Sequence, residues 1–243
     1  MSVSAVQKIV QAGSAKFGFI NAPAELFKFF TQEQHALDLV RRGTVRVGTL
    51  HEFRATDGWD SVRGDAAEGE FAISLTSAQP ETITSESAPW YLRPIIERFG
   101  MPILSHGGTV KAIPRHPDAY VYCTTAQPTA SALAGYGRFV IQIFDAESFL
   151  RALTHHLTDV LAVAAREPHG FLAPCLYLDR SREVDSQTAM VEEPPLAFIK
   201  PPAKHEEREV RAIWHPVRPP PVPIITECRA LTEFCRYLGA THA

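Results

Sequence analysis

The sequence predicts an α+β protein whose mixed or antiparallel sheets are flanked by helices. Short β-prone runs outnumber helical patterns, and they do not alternate regularly with long helices, which argues against a doubly wound parallel sheet. Residues 120–125 and 138–144 are typical of strands, because aromatic and β-branched side chains predominate there. A long amphipathic helix pattern follows the second of these runs.

The elements are predicted from hydrophobic periodicity and from capping and turn residues. Strands are predicted over 26–30, 45–50, 71–75, 120–125, 138–144, 175–178, 197–199 and 207–214. Helical patterns lie over 6–10, 31–43, 90–99, 145–164 and 231–238. Polar, glycine-rich or proline-rich loops are predicted over 51–70, 76–88, 179–195 and 216–223, and a hairpin or loop over 103–118.

Three capping signals support the helices. Thr31 and Gln34 form a capping-box pattern, Gly43 is a C-terminal stop, and Asp145 caps the long helix. We treat the chain as one domain, 1–243, with an N-terminal extension over 1–24 and a C-terminal helix within 224–243.

Composition narrows the class of protein. With 45% hydrophobic residues in 243, the chain can bury a sizeable core. A net charge of −3 gives no overall attraction to nucleic acid. The four cysteines form no CxxC pair, and no apolar stretch is long enough for export or membrane insertion. We therefore expect a cytoplasmic protein with reduced thiols and no membrane partner.

The segment 204–214 concentrates charge immediately before an apolar run. From Glu207 on, alternation puts Glu207, Glu209 and Arg211 on one face of a strand. A half-buried strand normally alternates apolar with polar residues, whereas this face is charged. The charges indicate either an edge strand protected from pairing or a functional face.

One candidate site combines this segment with the charged loop predicted over 51–70. Asp65, Glu68 and Glu70 of the loop, together with the glutamates of the strand, could surround Mg²⁺ in a nuclease centre. Lys200 or Lys204 would then lie nearby. The usual nuclease spacing of an acid two residues before a lysine is missing, and so are the phosphate-binding, HExxH and GxSxG motifs.

Both ends of the chain resemble ADP-ribosyltransferases. Residues 26–31, Leu-Phe-Lys-Phe-Phe-Thr, with the short helix, Gly43 and the next strand, are similar to the opening of that split-sheet fold. The run Tyr-Cys-Thr-Thr at 122–125 is similar to its middle strand, and Glu207-x-Glu209 resembles its late Glu-x-Glu motif. The chain also resembles a group of bacterial proteins that open on aromatic-Lys-aromatic and close on Lys…Glu-x-Glu-x-Arg. Some of these are thought to be toxins or phage-defence effectors.

The resemblance implies NAD as co-substrate and a macromolecular acceptor, protein or nucleic acid, with an antitoxin or regulatory partner as a further expectation. It implies catalytic roles for Glu209 and Glu207, the second as assistant, and cofactor contacts from Lys28, Arg54, Tyr122, Thr124 and Arg211. Lys28, Tyr122 and Glu209 should then line one pocket. Removing one of the two close carboxylates is expected to relieve repulsion and leave stability nearly unchanged. A non-catalytic binding or regulatory domain on the same fold remains an alternative.

Overall fold

The computed structural model describes residues 18–19, 21–54, 65–77, 81–84, 86–88, 92–105, 108–129, 132, 135–161, 170–185, 195–216 and 221–241. The first eight strands are β1 Gly18–Phe19, β2 Leu26–Phe30, β3 Thr44–Thr49, β4 Ala72–Ser77, β5 Glu81–Ile83, β6 Ile103–Ser105, β7 Gly108–Ala112 and β8 Tyr120–Thr125. The remaining strands are β9 Phe139–Ile143, β10 Gly170–Pro174, β11 Leu176–Tyr177, β12 Ser181–Asp185, β13 Ile199–Lys200, β14 Glu209–Trp214, β15 Ile224–Glu227 and β16 Cys235–Ala240.

Four α-helices and three 3₁₀ turns accompany these strands in the described part of the chain. The helices are α1 Glu33–Arg42, α2 Leu50–Arg54, α3 Arg93–Phe99 and α4 Ala146–Leu161. The 3₁₀ turns are Leu196–Phe198, Pro202–Glu207 and Arg229–Phe234. Sheets whose strand pairs are mostly antiparallel, with few helices, confirm the predicted α+β class. No helix of the described residues has the length and apolar character needed to cross a membrane.

The main sheet branches at β8. Along its principal path the strand order is β1-β10-β14-β8-β2-β9-β16, and β3, with β15 on its far side, also pairs with β8. The start of β8 pairs with β3, at Val121↔Gly48, whereas its end pairs with β2 at Thr125↔Phe27. Strands β2 and β3 therefore diverge, and a split opens beside the middle of β8.

A long helix covers one face of this sheet. Phe149, Leu153 and Leu157 of α4 are buried in one apolar core with Val210 and Ala212 of β14, as the predicted apolar stripe requires. Trp214 closes the same core and donates its indole N–H to the Thr154 hydroxyl at 2.9 Å. Because apolar side chains of α4 cover this face of the sheet, the charged residues of β14 must lie on the opposite face.

A second core lies beside the first. Strand β4 pairs with β7 and with β12, and apolar side chains from β4, β7 and α3 belong to a separate buried cluster. The cluster includes Ile73, Leu75 and Ile96. Ile199, next to Lys200, belongs to it as well, so this core supports the chain where it approaches β14.

Several predicted elements are confirmed. Gly43 ends α1 in the left-handed region, with φ 73°, and Asp145 accepts a hydrogen bond from the Ser148 N–H at 3.0 Å. Strand β2 has the predicted bounds. In contrast, no side chain caps the start of α1, so the Thr31–Gln34 capping box is not formed. The helix predicted over 6–10 lies outside the described residues.

Two further predictions are wrong. The predicted C-terminal helix is a 3₁₀ turn, Arg229–Phe234, followed by strand β16. The buried Leu231 and Cys235 stand four residues apart and imitate a helical stripe, although from Cys235 on the exposure alternates as in a strand. The loop predicted over 179–195 contains β12, which pairs in parallel with β4.

The edge-strand interpretation of the charged segment is also wrong. Strand β14 is hydrogen-bonded along its length to β10 on one side and to β8 on the other. Glu207 is not part of it: it ends the 3₁₀ turn, and Arg208 adopts a left-handed conformation with φ 48° before the strand begins at Glu209. The charges of β14 are therefore buried inside the protein, and partners outside the strand must compensate for them.

Candidate functional site

A pocket of about 310 Å³ lies at the split between β2 and β3. Its lining includes Lys28 and Glu209, which 181 positions separate in the chain, together with Tyr122. The prediction that these three side chains share one pocket is therefore confirmed. Other lining residues include Phe27, Phe30, His35, Asp38, Arg46, Phe53, Glu68, Cys123, Thr124, Tyr136, Lys200, Arg211 and Ile225.

The pocket receives side chains from both faces of the sheet. Cross-strand register places Lys28 opposite Ile141 of the α4-covered core, whereas Glu209 lies opposite Thr125 on the other face. Such residues share a pocket only where a sheet is interrupted. The divergence of β2 and β3 beside Cys123 supplies that interruption.

Arg211 is the centre of a buried ionic network. Only 1% of its surface is exposed, and its Nε donates to Glu209 Oε1 at 2.5 Å. Its two Nη atoms donate to the two carboxylate oxygens of Glu68, at 2.6 and 3.0 Å, and Nη1 also donates to the Ala197 carbonyl at 2.7 Å. These bonds use four of the five N–H groups of the guanidinium. Only one N–H group of Arg211 is thus left for the expected contact with a cofactor.

Lys200 connects Glu209 with Glu207. Its ammonium contacts Oε2 of Glu209 and lies 3.1 Å from Oε2 of Glu207. The Tyr136 hydroxyl donates to the same oxygen of Glu207 at 2.6 Å. Lys204 Nζ lies 3.8 Å from the other oxygen. Glu207 is therefore held by these partners beside the pocket, and it is Glu209 that contributes to the wall.

The network fixes the protonation state of Glu209. Burial by itself would raise the pKa of this carboxyl, but the charges of Arg211 and then Lys200 outweigh burial and hold the pKa far below its ordinary value. Burial likewise opposes the charge of Lys200, but Glu209, Tyr136 and Glu207 together more than offset it, so the pKa of Lys200 is well above the ordinary value. Both groups are ionised at neutral pH.

Lys28 is a cation of a different kind. Its ammonium donates to the Cys123 carbonyl at 2.6 Å and lies 4.5 Å from the centre of the Tyr122 ring. None of the carboxylates in the described residues forms an ion pair with it. Burial lowers its pKa below the ordinary lysine value. The pocket thus holds one ammonium that an incoming anion would neutralise.

The middle of β8 forms the floor of the split. Tyr122 is buried, and among the described residues its hydroxyl has no hydrogen-bond partner. The Thr124 hydroxyl donates to the Val210 carbonyl at 3.0 Å, which turns it toward β14. Cys123 is only partly buried in the wall, but desolvation raises the pKa of its thiol to about 12. It is therefore a thiol and not a nucleophilic thiolate at neutral pH.

Arg54 does not line the pocket, which corrects the expectation of a cofactor contact. Its guanidinium donates to the main-chain carbonyls of Glu68 and His116, the second at 3.1 Å. Phe53 and Glu68, from either side of the charged loop, do reach the pocket wall. Arg54 therefore holds the loop in place, and residues 55–64 lie outside the described part of the chain.

The acidic residues of the loop and of β14 form ion pairs with arginines, and they are not arranged to bind a metal ion. Asp65 pairs with Arg180 at 2.7 Å, Glu70 with Arg115 at 3.0 Å, and Glu68 with Arg211. Within the described ranges no cluster of three or more histidine, cysteine, aspartate or glutamate residues could hold a metal ion. A nuclease centre built from these carboxylates finds no support in this geometry.

Sequence reasoning missed the roles of Glu68 and Tyr136. Glu68 was one acid among many in a polar loop, yet only 1% of its surface is exposed. Its burial depends on Arg211, 143 positions later, and no local pattern reveals such a pairing.

Comparison of the chain with protein-family models, curated proteins and solved structures found no match.

Proposed function

We propose that this protein is an NAD-dependent ADP-ribosyltransferase that transfers ADP-ribose to a macromolecular acceptor. The observation that carries the proposal is the pocket at the split of the sheet. It joins the ionised Glu209 to the ammonium of Lys28, which donates to the Cys123 carbonyl and forms no ion pair with a carboxylate of the described residues. A split sheet with a cation on an early strand and a glutamate on a late strand is what the resemblance to this enzyme class implies.

Glu209 would stabilise the reacting ribose. Cleavage of the nicotinamide–ribose bond passes through an oxocarbenium-like state, as glycoside hydrolysis does. The bonding electron pair leaves with nicotinamide as a neutral base, so this step requires no general acid. A fixed carboxylate beside the ribose favours the growing positive charge. Each oxygen of Glu209 is engaged by one cation but has a second acceptor position, which a ribose hydroxyl can occupy.

Lys28 would bind the anionic part of the co-substrate. A pocket of about 310 Å³ is at the small end of ligand sites, which run from ~300 to 1,000 Å³. It suits the nicotinamide–ribose half of NAD, with the pyrophosphate near Lys28 and the adenosine at the mouth. The Phe27, Phe30 and Phe53 rings in the wall provide apolar surface for the flat nicotinamide ring.

Glu207 would act on the acceptor side. Its carboxylate lies next to Lys200 and Tyr136 at the edge of the Glu209 site. An acceptor hydroxyl or amine that attacks the ribose carbon must lose its proton, and a carboxylate near that position assists the loss. In this arrangement Glu207 matters more for transfer than for hydrolysis of NAD by water.

The test measures nicotinamide release and transfer of labelled ADP-ribose from NAD to protein, RNA and DNA fractions. Glu209→Gln should lower both activities ~10²–10³-fold, by analogy with loss of one preorganised stabilising group. Glu207→Gln should mainly reduce transfer. Glu206→Gln is the matched control, because Glu206 is an exposed neighbour outside the pocket wall.

Thermal shifts separate the alternatives. A rise in Tm with NAD and cleavage by the wild type support the transferase. A rise in Tm with NAD but no cleavage of NAD indicates a binding domain on this fold. A rise in Tm with Mg²⁺ alone supports the metal-dependent nuclease. Equal cleavage by the wild type and Glu209→Gln would contradict the proposed role of the pocket.

A further inference from the structure

We infer that Glu68 is a positioning residue of this site, which holds Arg211 and through it fixes the carboxylate of Glu209. The inference deepens the proposed function and rests on it for the reaction. Glu68 lies in the loop before β4, whereas Arg211 and Glu209 lie on β14. The geometry thus assigns a reaction-supporting role to a residue outside the Glu-x-Glu-x-Arg segment.

The orientation of Arg211 depends on Glu68. The two residues form a bidentate pair, with Nη1–Oε1 at 2.6 Å and Nη2–Oε2 at 3.0 Å. A bidentate pair fixes the plane of the guanidinium and not only its distance. With that plane fixed, Nε is directed at Oε1 of Glu209, at 2.5 Å. The Ala197 carbonyl contributes a single bond to Nη1, which leaves rotation about that bond unrestrained.

The loop around Glu68 is itself anchored on both sides. Before Glu68, Asp65 pairs with Arg180 at 2.7 Å, and the Glu68 N–H donates to the Asp65 carbonyl at 2.8 Å. At Glu68, the main-chain carbonyl accepts a hydrogen bond from Arg54. After it, the Gly69 carbonyl accepts from the His116 N–H at 2.9 Å. A loop tied down in this way can transmit a fixed position to Arg211.

Burial supports a specific partner role. Loop glutamates are almost always exposed, because an ionised carboxylate is costly to bury without a partner. Glu68 and Arg211 are both about 1% exposed, and each neutralises the other. In contrast, the side chain of Glu70 in the same loop is 17% exposed, and its partner Arg115 is 65% exposed. Glu70 does not belong to the pocket wall. The chain therefore offers a matched control only two residues away.

The experiment compares Glu68→Gln with Glu70→Gln in the full chain. A glutamine amide presents one oxygen to Arg211 and turns an NH₂ group toward the second Nη, so the bidentate pair is lost. We expect kcat for nicotinamide release, per folded molecule, to fall ~10–10²-fold with KM for NAD within ~2-fold, because misplacement of a catalytic group mainly affects the transition state. Glu70→Gln should retain wild-type kcat.

A second readout needs no substrate. In ¹H–¹⁵N spectra, hydrogen exchange of the Arg211 Nε–H reports its bond to Glu209. It should become at least ~10-fold faster in Glu68→Gln and stay unchanged in Glu70→Gln. If Glu68→Gln does not fold, Glu68→Asp keeps the charge but withdraws it by one methylene, and the same changes are expected in reduced size.

The two proposals fail in different ways. Wild-type protein that neither binds nor cleaves NAD refutes the transferase, while the exchange of Arg211 still decides whether Glu68 holds it. Active wild type with unchanged kcat and unchanged Arg211 exchange in Glu68→Gln overturns the positioning role. A lower Tm with unchanged kcat per folded molecule overturns it as well, because Glu68 would then act only on stability.

Discussion

At the scale of single residues, the site is a set of mutually dependent buried charges. Glu68, Glu207 and Glu209 provide three carboxylates, and Arg211 and Lys200 provide two cations that separate them. Loss of one partner of a buried pair typically costs ~3–5 kcal/mol, because the other charge is left uncompensated. The expectation that removing one carboxylate relieves repulsion is therefore revised: each carboxylate faces a cation.

The stability of Glu209→Gln should depend on pH. The folded-state pKa of Glu209 lies far below its ordinary value of about 4.3, because of Arg211 and Lys200. A carboxyl with a depressed pKa contributes stability above the unfolded-state pKa and loses that contribution as pH falls. Glu209→Gln should thus be less stable than wild type at pH 7, and the difference should shrink toward pH 3.

Urea unfolding at the two pH values measures this difference. Glu206→Gln serves as the control, since Glu206 is exposed and outside the network. A gap between wild type and Glu209→Gln that is the same at pH 3 and pH 7 would show that Glu209 is not held ionised by its neighbours.

Lys28 gives a second pH-dependent prediction, for NAD binding. Burial lowers its pKa, so the ammonium loses its proton at a lower pH than an exposed lysine, and attraction for an anion declines as pH rises through that lowered value. Lys28→Arg stays charged throughout, because the arginine pKa is above about 12. Tyr122 remains neutral because burial raises its pKa.

Calorimetric titration of NAD from pH 7 to 10 tests this. The affinity of the wild type should fall with pH, that of Lys28→Arg should vary less, and Lys28→Met should bind ≥10-fold more weakly at pH 7. Parallel pH profiles for the wild type and Lys28→Met would show that Lys28 does not contact the bound anion.

At the scale of elements, the helix ends show how local chemistry and packing combine. Gly43 and Gly100 both follow a helix in the left-handed conformation, with φ 73° and 65°. The first is packed against the chain near the C-terminus, where its carbonyl accepts from the Cys228 N–H at 3.0 Å. Among the described residues, no atom lies within 4 Å of the position that a Cβ on Gly100 would take. The same capping signal therefore has different tertiary consequences.

Alanine at these two positions should differ in cost. Gly100→Ala pays only for the left-handed backbone, about 1–2 kcal/mol. In Gly43→Ala the added methyl would also overlap the main-chain carbonyl of Cys228. Overpacking against the rigid backbone adds roughly 1–3 kcal/mol or more. Thermal unfolding of both variants measures the difference, and equal losses of Tm would mean that the Gly43–Cys228 packing contributes nothing.

At the scale of the whole molecule, the last strands complete both arms of the split sheet. Strand β15 pairs with β3, and β16 pairs with β9 beside β2. The C-terminal segment thus closes each arm after the chain has passed through β14. Ile225 of β15 also belongs to the pocket wall, so this segment contributes to the site as well as to the fold.

A chain that ends at residue 223 should therefore fail to fold. It lacks both strands and exposes the edges of β3 and β9, which carry unpaired backbone groups. We expect loss of the cooperative urea transition, followed by circular dichroism, whereas a chain ending at Thr241 keeps both strands and serves as the control. A cooperative transition in the shorter chain would show that the two arms are stable without their last strands.

Local chemistry in the sequence determined the α+β class, the bounds of β2, the stop at Gly43 and the buried stripe of α4. These features depend on contacts within a few residues, so periodicity and capping rules suffice for them. Lys28, Tyr122 and Glu209 were singled out in another way, through the resemblance of their segments to ADP-ribosyltransferase motifs.

Only the tertiary structure decided which charges are partners. It placed β14 inside the sheet instead of at its edge, removed Glu207 from the strand, and showed that Arg54 supports a loop and does not face the pocket. The pairing of Glu68 with Arg211 joins residues 143 positions apart. The energy of a buried charge depends on partners that folding brings close, and the order of residues along the chain does not encode that proximity locally.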